Sequence, residues 1–399
     1  MNESKGQKIY KLLMVIIITA LITGILTTIL VYQKLTGTMN ISNIVASGDN
    51  TGLELTLSKI RATLEKKYIG EIDDQKLLEG AIKGYVAGLG DEYAQYYTKE
   101  EMSAEMDETN GNYVGIGIYM TVNSLEGTIT VTEPMEGSPA EEVGLKTGDM
   151  IIAVNDEEVT TDNVSNMSNK IKGEEGTKVK LKIKRGEETF EVEVERKRIV
   201  VSHTKADIKE NSIGYIQISD FEGGTAVEFQ KKYEELKKKN IKSLIIDLRG
   251  NGGGVVDEAL SILNMICDQN STLLITVDKS GKEEQTKSKQ TPIIDVPVIV
   301  LTNGYSASAS EILAGALKDN NKAKLVGTKT YGKGVIQTLM QLSDGSGLKM
   351  TTEEYYTPSH NKINKVGIEP DYEVKLPSGI TELTDKNDTQ LQKAIELLK

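Results

Sequence analysis

The amino-terminal part of the chain is dominated by one long apolar stretch. Residues 12–32 carry no charged side chain and are rich in Leu and Ile, and three lysines precede them. A stretch of this length can span a bilayer, and lysines before it favour a cytoplasmic amino end. We therefore predict a cytoplasmic tail and a single transmembrane helix within residues 1–34. A Thr-, Ser-, Asn- and Gly-rich linker is expected to follow at residues 35–52.

A cleaved signal peptide is the alternative interpretation of the same stretch. Signal peptides have a shorter apolar region and a cleavage site of small residues, and only the weak Val45-Ala46-Ser47 offers such a site. In the first interpretation the protein is a single-pass membrane protein, and in the second it is secreted. Both place everything after the apolar stretch outside the cytoplasm.

The hydrophobic pattern changes three times along the rest of the chain. Apolar residues recur at helical spacing over residues 53–108, which predicts a helical N-terminal region. Residues 109–198 contain short alternating strands with glycine-rich turns, typical of a small β-domain. Strands then alternate with helices over residues 199–377, which indicates an α/β core, and residues 378–399 are expected to form a helical tail. The predicted fold class is multidomain, α/β and β, with one transmembrane helix.

Composition and charge exclude several functions. The net charge of −12 and the pI near 5.0 disfavour nucleic-acid binding, because phosphate contacts require a basic face. One Cys and two His leave too few ligands for a zinc site, so we expect no metal and no cofactor.

A serine-rich segment offers a nucleophile. Ser308 lies between a predicted strand and a predicted helix, where free backbone N–H groups favour developing negative charge. A structural role is the alternative, because Ser308 and Glu311 have the spacing of a capping box.

A lysine 25 positions later could act as the base, since 333 − 308 = 25. If residues 334–342 form a strand, Lys333 and Gln337 point to one face. Lys333 can accept a proton from Ser308 only when it is uncharged, which requires burial or a nearby positive charge. Gln337 could orient the amine without adding a carboxylate.

A glycine loop could supply the oxyanion hole. Residues 245–254 read as a buried strand that runs into three glycines. Glycines allow close backbone approach, so the N–H groups of Gly253 or Gly254 could bind an oxyanion together with that of Ala309. A nucleotide phosphate loop fits poorly, because the G-x-G-x-x-G register and the Walker lysine are both missing.

The β-domain resembles PDZ domains. Gly115 and Gly117 occupy the place of the PDZ carboxylate-binding loop, and Gly137-Ser-Pro-Ala140 followed by Gly144-Leu-Lys-Thr-Gly-Asp149 is similar to PDZ domains of bacterial proteases. The resemblance implies that the loop and first strand bind a peptide carboxyl terminus. The implied peptide-binding residues are Tyr113, Val114, Gly115, Ile116, Gly117 and Ile118.

The three chemistry-bearing segments together resemble carboxyl-terminal processing peptidases. The segments are D-L-R-x-N-x-G-G, S-A-S-A-S-E and Y-G-K-G-x-x-Q, in that order after the β-domain, and the resemblance covers roughly residues 53–372. It implies a ClpP/crotonase-like core with an inserted PDZ domain. Ser308 would be the nucleophile, Lys333 the base and Gln337 the third member.

The resemblance also implies substrates and partners. We expect cleavage of proteins near free, apolar carboxyl termini, together with a possible homodimer through the terminal helices. A Ser-His mechanism with His360 or His203 and a non-catalytic PDZ scaffold are the alternatives. Loss of cleavage in Ser308→Ala with retained peptide binding would exclude the scaffold.

Overall fold

The computed structural model describes residues 51–111, 113–199, 201–379 and 383–399. The chain divides into one unit that ends at Leu77 and a second that begins at Leu78. The helices are α1 Thr51–Lys67, α2 Asp74–Ala87, α3 Lys99–Thr109, α4 Pro139–Glu142, α5 Val164–Ile171, α6 Thr225–Lys238, α7 Val256–Ile266, α8 Ala309–Asp319 and α9 Thr389–Leu397.

The strands fall into four sheets. They are β1 Gln95–Tyr97, β2 Tyr113–Gly115, β3 Ile118–Asn123, β4 Thr128–Pro134, β5 Met150–Val154, β6 Glu157–Glu158, β7 Lys178–Arg185, β8 Glu188–Glu195, β9 Lys197–Ile199, β10 Thr204–Lys209, β11 Ile213–Ile218, β12 Ser243–Asp247, β13 Thr272–Asp278, β14 Glu283–Lys287, β15 Val298–Thr302, β16 Ala323–Gly327, β17 Val335–Gln341, β18 Gly347–Tyr356 and β19 Tyr372–Glu373.

The transmembrane helix in the predicted fold class has to be corrected. Within the described ranges, every helix is too short or too polar to cross a bilayer. The longest, α1, has 17 residues and carries charges along its length. The predicted span at residues 12–32 and most of the predicted linker lie outside the described residues. The fold class of the described residues is therefore α/β and β, and none of their helices spans a bilayer.

The β-domain, residues 113–199, is built on an antiparallel sheet. Its strand order is β3-β4-β5-β7-β8, with β6 on β5, and β2 pairs with β9 at its base. Alternate residues of β7 are buried. Val179, Leu181 and Ile183 face the interior of the domain, and lysines lie between them. Strand β3 lies at the edge of the sheet, so one side of it pairs with no strand among the described residues of the domain.

The core is a three-layer α/β arrangement. Its sheet has the order β10-β11-β12-β15-β16-β19, in which only the pair β10–β11 is antiparallel. All five residues of β12 and of β15 are buried, as expected for parallel strands covered on both faces. Leu244 and Ile246 pack with α6, α7 and α8, whereas Ile245 faces the tail helix α9.

A second sheet joins distant parts of the chain. Its order is β1-β18-β13-β14, with β17 on the other side of β18. Because β1 precedes the β-domain in sequence and pairs with β18 after it, the β-domain is inserted into the core. The region predicted to be wholly helical thus also contains a strand.

The tail helix is fastened to the glycine loop by buried charges. Arg249 contacts Asp247 at 2.6 Å and Asp388 at 2.8 Å, and it donates to Gln390 Oε1 at 3.0 Å. Asp388 also caps α9 by accepting the N–H groups of Gln390 and Leu391. The tail therefore holds the residue that leads into the glycine loop.

Removing the Asp388 carboxylate should destabilise the core. We expect Asp388→Ala to lower the free energy of unfolding by about 3 kcal/mol, because Arg249 loses a buried partner and α9 its cap. Urea unfolding measures this. Glu396→Ala on the exposed side of the same helix is the control and should leave the midpoint unchanged. Equal midpoints for both variants would contradict the role given to Asp388.

Candidate active site

Ser308 is the residue immediately before α8, and its backbone is strained. Its φ and ψ are 55° and −116°, in a region that non-glycine residues rarely adopt. Such a conformation costs about 1–3 kcal/mol and persists only where the surroundings enforce it. Strain at a strand-to-helix turn is often found at functional sites, so the backbone itself singles out Ser308.

The two neighbouring serines of the segment are structural. Ser306 donates to the carbonyl of Leu248 at 2.8 Å, and Ser310 donates to that of Asn251 at 3.0 Å. Both are fully buried. They fasten the turn to the glycine loop on either side of Ser308, which leaves Ser308 as the serine available for chemistry.

The carboxylate of Glu311 ties the serine segment to the lysine segment. It accepts the N–H of Ser308 at 3.0 Å, that of Gly332 at 2.8 Å and that of Lys333 at 2.9 Å, and the Thr330 hydroxyl at 2.5 Å. The side chain is completely buried. Burial raises the pKa of Glu311, and the four donors oppose that effect. Because all four neighbours donate, the arrangement suits an ionised carboxylate.

Lys333 lies in a partly desolvated place. Burial lowers its pKa, and the nearby Lys349 adds to this, while Glu92 and Asp91 raise it. Its Nζ lies 4.2 Å from the centre of the Tyr93 ring. No hydrogen bond joins Nζ to the Ser308 hydroxyl among the contacts of the described residues, and the role of Lys333 as base stays a prediction.

Gln337 lies within β17, whereas Lys333 lies before it, so strand alternation does not by itself place the two side chains on one face. Lys333 precedes β17, and the pairing of β17 with β18 shifts register between Ile336 and Gln337. Gln337 Nε2 donates to Thr351 Oγ1 at 3.2 Å. The Thr351 N–H in turn donates to Asp91 at 3.1 Å. The role of Gln337 as third member stays a prediction.

The glycine loop presses directly against the serine. Gly253 and Gly254 have φ of 110° and 134°, and a Cβ at Gly253 would lie 2.7 Å from Ser308 Cβ and 3.1 Å from Ala309 N. A Cβ at Gly254 would lie 2.4 Å from the carbonyl oxygen of Phe221. The N–H of Gly253 donates to Asn251 Oδ1 at 2.8 Å. The structure thus brings the predicted oxyanion residues together, and their roles stay predictions.

The two histidines are placed elsewhere. His360 Nε2 lies 3.2 Å from Glu283 at an exposed position. His203 is buried, and its N–H donates to Glu228. Neither histidine forms a hydrogen bond with Ser308, so the alternative Ser-His mechanism finds no support.

The predicted peptide-binding loop leads into the edge strand of the β-domain. Tyr113, Val114 and Gly115 form β2, and Ile118 begins β3. Ile116 is buried between them, and its carbonyl accepts the N–H of Ala140 at 2.8 Å.

Gly117 completes the loop with φ of 75°, and a Cβ there would lie 2.4 Å from Ser138 Cβ. Helix α5 packs beside β3, and PDZ domains add a peptide strand at such an edge strand. The binding roles of these six residues stay predictions.

Known protein families match three successive parts of the chain. The family models for peptidase family S41, the PDZ domain and the activating protease CtpB N-terminal domain match residues 212–374, 130–185 and 23–101. The carboxy-terminal processing protease CtpA of Bacillus subtilis is 34% identical over 368 residues, which are 92% of this chain and 78% of that protein. The chain belongs to the carboxy-terminal processing proteases of peptidase family S41. It is a serine-type peptidase with a PDZ domain, as the sequence resemblance implied.

One further relative and one solved structure are also similar to this chain. A probable CtpA-like serine protease of Staphylococcus aureus is 34% identical over 387 residues, covering 94% of this chain and 75% of that protein. A solved structure of a putative S41 protease from Bacteroides fragilis has a TM-score of 0.51 at 18% identity and covers 83% of this chain and 92% of that one. The latter likeness concerns the fold alone.

Two contributors to the site were missed by the sequence analysis. Glu311 was noticed only as a capping partner, and its contacts to Gly332 and Lys333 cross 21 and 22 positions. Tyr93 fell in a region predicted to be helical, 240 residues before the lysine that it covers, since 333 − 93 = 240. The capping-box spacing could have identified Glu311, whereas no local signal identified Tyr93.

Proposed function

We propose that this protease cleaves proteins near their carboxyl termini with Ser308 as nucleophile and Lys333 as general base. The observation that carries the proposal is the Glu311 carboxylate, which binds the backbone of both residues and so keeps them in one cluster. The lowered pKa of Lys333 supports its role, because the working base must be neutral.

The reaction proceeds through an acyl-enzyme. Ser308 Oγ attacks the scissile carbonyl carbon while its proton passes to Lys333 Nζ. The resulting oxyanion faces backbone N–H groups of Ala309 and the glycine loop, and the peptide amine leaves with the proton from Lys333. Water then attacks the ester with Lys333 again as base, and Ser308 is regenerated.

Gln337 orients Lys333 in this proposal. The Gln337 amide donates to Thr351, and the Thr351 N–H donates to Asp91. Hydrogen bonds therefore connect Gln337 to Asp91, one of the charged residues around Lys333. The absence of a carboxylate at this position avoids stabilising the charged lysine.

The PDZ domain selects substrates by their carboxyl termini. The edge position of β3 beside α5 supports strand addition, and the loop before it supports capture of a terminal carboxylate. Extracytoplasmic substrates are also part of the proposal, and they rest on the lysines and the uncharged stretch at residues 12–32 of the sequence. A homodimer through the terminal helices stays a prediction.

The pH dependence of turnover tests the lysine. Because only neutral Lys333 accepts a proton and burial lowers its pKa, kcat on casein should rise with pH and level off below the ordinary lysine range. Ser308→Ala and Lys333→Ala should each reduce kcat more than about a thousandfold, and the double variant no further. Lys362→Ala, at an exposed lysine, is the control. Near-normal turnover in Lys333→Ala, or a rate that falls with pH, would refute the assignment.

Peptide binding tests the PDZ loop. Full-length Ser308→Ala should bind a peptide with an apolar free carboxyl terminus at least about tenfold more tightly than its amide, because charge-assisted hydrogen bonds are lost on amidation. Fluorescence anisotropy measures both affinities. Gly117→Ala should reduce the difference, since its φ of 75° and the contact with Ser138 leave no room for a methyl group.

Gly80→Ala on α2 is the control, because this glycine lies outside the loop and a Cβ there meets no atom within 4 Å. Equal affinities for acid and amide, or equal effects at the two glycines, would show that this loop does not bind the carboxylate.

A further inference from the structure

Tyr93 places the face of its ring over the amine of Lys333. The distance from Nζ to the ring centre is 4.2 Å, well within the range over which an aromatic ring attracts a cation. The ring comes from the segment just before β1, whereas Lys333 precedes β17. The contact therefore depends on the tertiary fold.

The backbone around Tyr93 is anchored to β18. Asp91 accepts the Tyr93 N–H at 3.0 Å and the Thr351 N–H at 3.1 Å. Two residues after the tyrosine, Gln95 pairs with Lys349 in β18. The chain around Tyr93 is thus anchored to the strand that also accepts Gln337.

The charges around Lys333 come from three elements. Lys349 of β18 disfavours the charged amine, and Glu92 and Asp91 of the tyrosine segment favour it. The Glu311 carboxylate of α8 binds the Lys333 N–H, and the Tyr355 hydroxyl donates to the Lys333 carbonyl at 2.5 Å.

Tyr93 itself stays neutral in the working pH range. Burial raises the pKa of Tyr93 to about 12, so the phenol does not ionise beside the lysine. The ring therefore acts through its electron-rich face, which attracts the ammonium form.

We propose that Tyr93 is a positioning residue. Between proton transfers to and from Ser308, the protonated amine of Lys333 makes a cation–π contact with the Tyr93 ring. This inference rests on the proposed Ser-Lys mechanism. Contact with the ring restricts where the Lys333 amine lies and stabilises its charged form. The ring consequently sets how readily Lys333 becomes the neutral base.

Labelling of Ser308 by a fluorophosphonate tests the proposal without a protein substrate. In this step Ser308 Oγ bonds to phosphorus, fluoride leaves, and the serine proton passes to Lys333. The labelling rate of the full-length protein is measured against pH for the wild type, Tyr93→Phe and Tyr93→Leu. Tyr85→Leu, at an exposed tyrosine on α2, is the matched control.

Each variant has a distinct expected profile. Leucine keeps apolar cover over the lysine but lacks the ring face, so Tyr93→Leu should move the midpoint down by about one pH unit and speed labelling near neutral pH. Tyr93→Phe keeps the ring and should match the wild type, as should Tyr85→Leu. An unchanged or higher midpoint in Tyr93→Leu would overturn the proposal, and so would a Phe variant that behaves like Leu.

Two additional measurements keep the outcome decisive. Lys333→Ala that labels with the wild-type pH profile would refute the Ser-Lys mechanism itself, independently of the Tyr93 variants. If Tyr93→Leu fails to fold, ¹³C-lysine spectra of the wild type replace it. The Lys333 ε-methylene protons should then be shifted upfield by the ring current, and a position among those of exposed lysines would overturn the proposal.

Discussion

One buried carboxylate organises the catalytic region of this protease. Glu311 accepts four donors that come from two separate segments, the turn that carries Ser308 and the stretch from Thr330 to Lys333. A buried charge is costly unless it is fully paired, and here every contact is a donor. The energetic need to satisfy Glu311 therefore also holds the backbone of Ser308 close to that of Lys333.

Other contacts of the core hold the segments around Glu311 in place. Ser306 and Ser310 bind the glycine loop, which presses against the strained Ser308. Arg249 connects that loop to the tail helix through Asp388. The second face of the main sheet is covered by the same helix. Stability at the carboxyl end of the chain and geometry at the site are thus coupled through one arginine.

The regular elements were predicted well because the hydrophobic patterns that produce them are local features of the sequence. The continuous apolar runs of β12 and β15 and the alternating pattern of β7 identify buried and half-buried strands directly, and the three motif segments do meet in space. The transmembrane helix was wrong as a part of the fold class, since within the described residues only shorter or more polar helices occur. The apolar stretch on which it rested lies outside them.

The contacts that the sequence analysis missed depend on pairing between strands that lie far apart in the sequence. Tyr93 reaches Lys333 only because β1 joins β18, and helical periodicity on both sides of β1 concealed the strand. The common face expected for Lys333 and Gln337 stays a prediction, because Lys333 lies before β17 and not within it. The contact between Tyr93 and Lys333 has no local signature in the sequence.

The turnover number of Glu311→Gln is the most direct test of the central claim. The amide replaces one acceptor with a donor that faces N–H groups, so the serine and lysine segments should lose their common anchor. We predict that kcat falls at least about a hundredfold while peptide binding to the PDZ domain is retained, because small displacements of reacting groups are this costly. Glu369→Gln, at an exposed glutamate, should behave as the wild type. A folded Glu311→Gln protein with near-normal kcat would contradict the account.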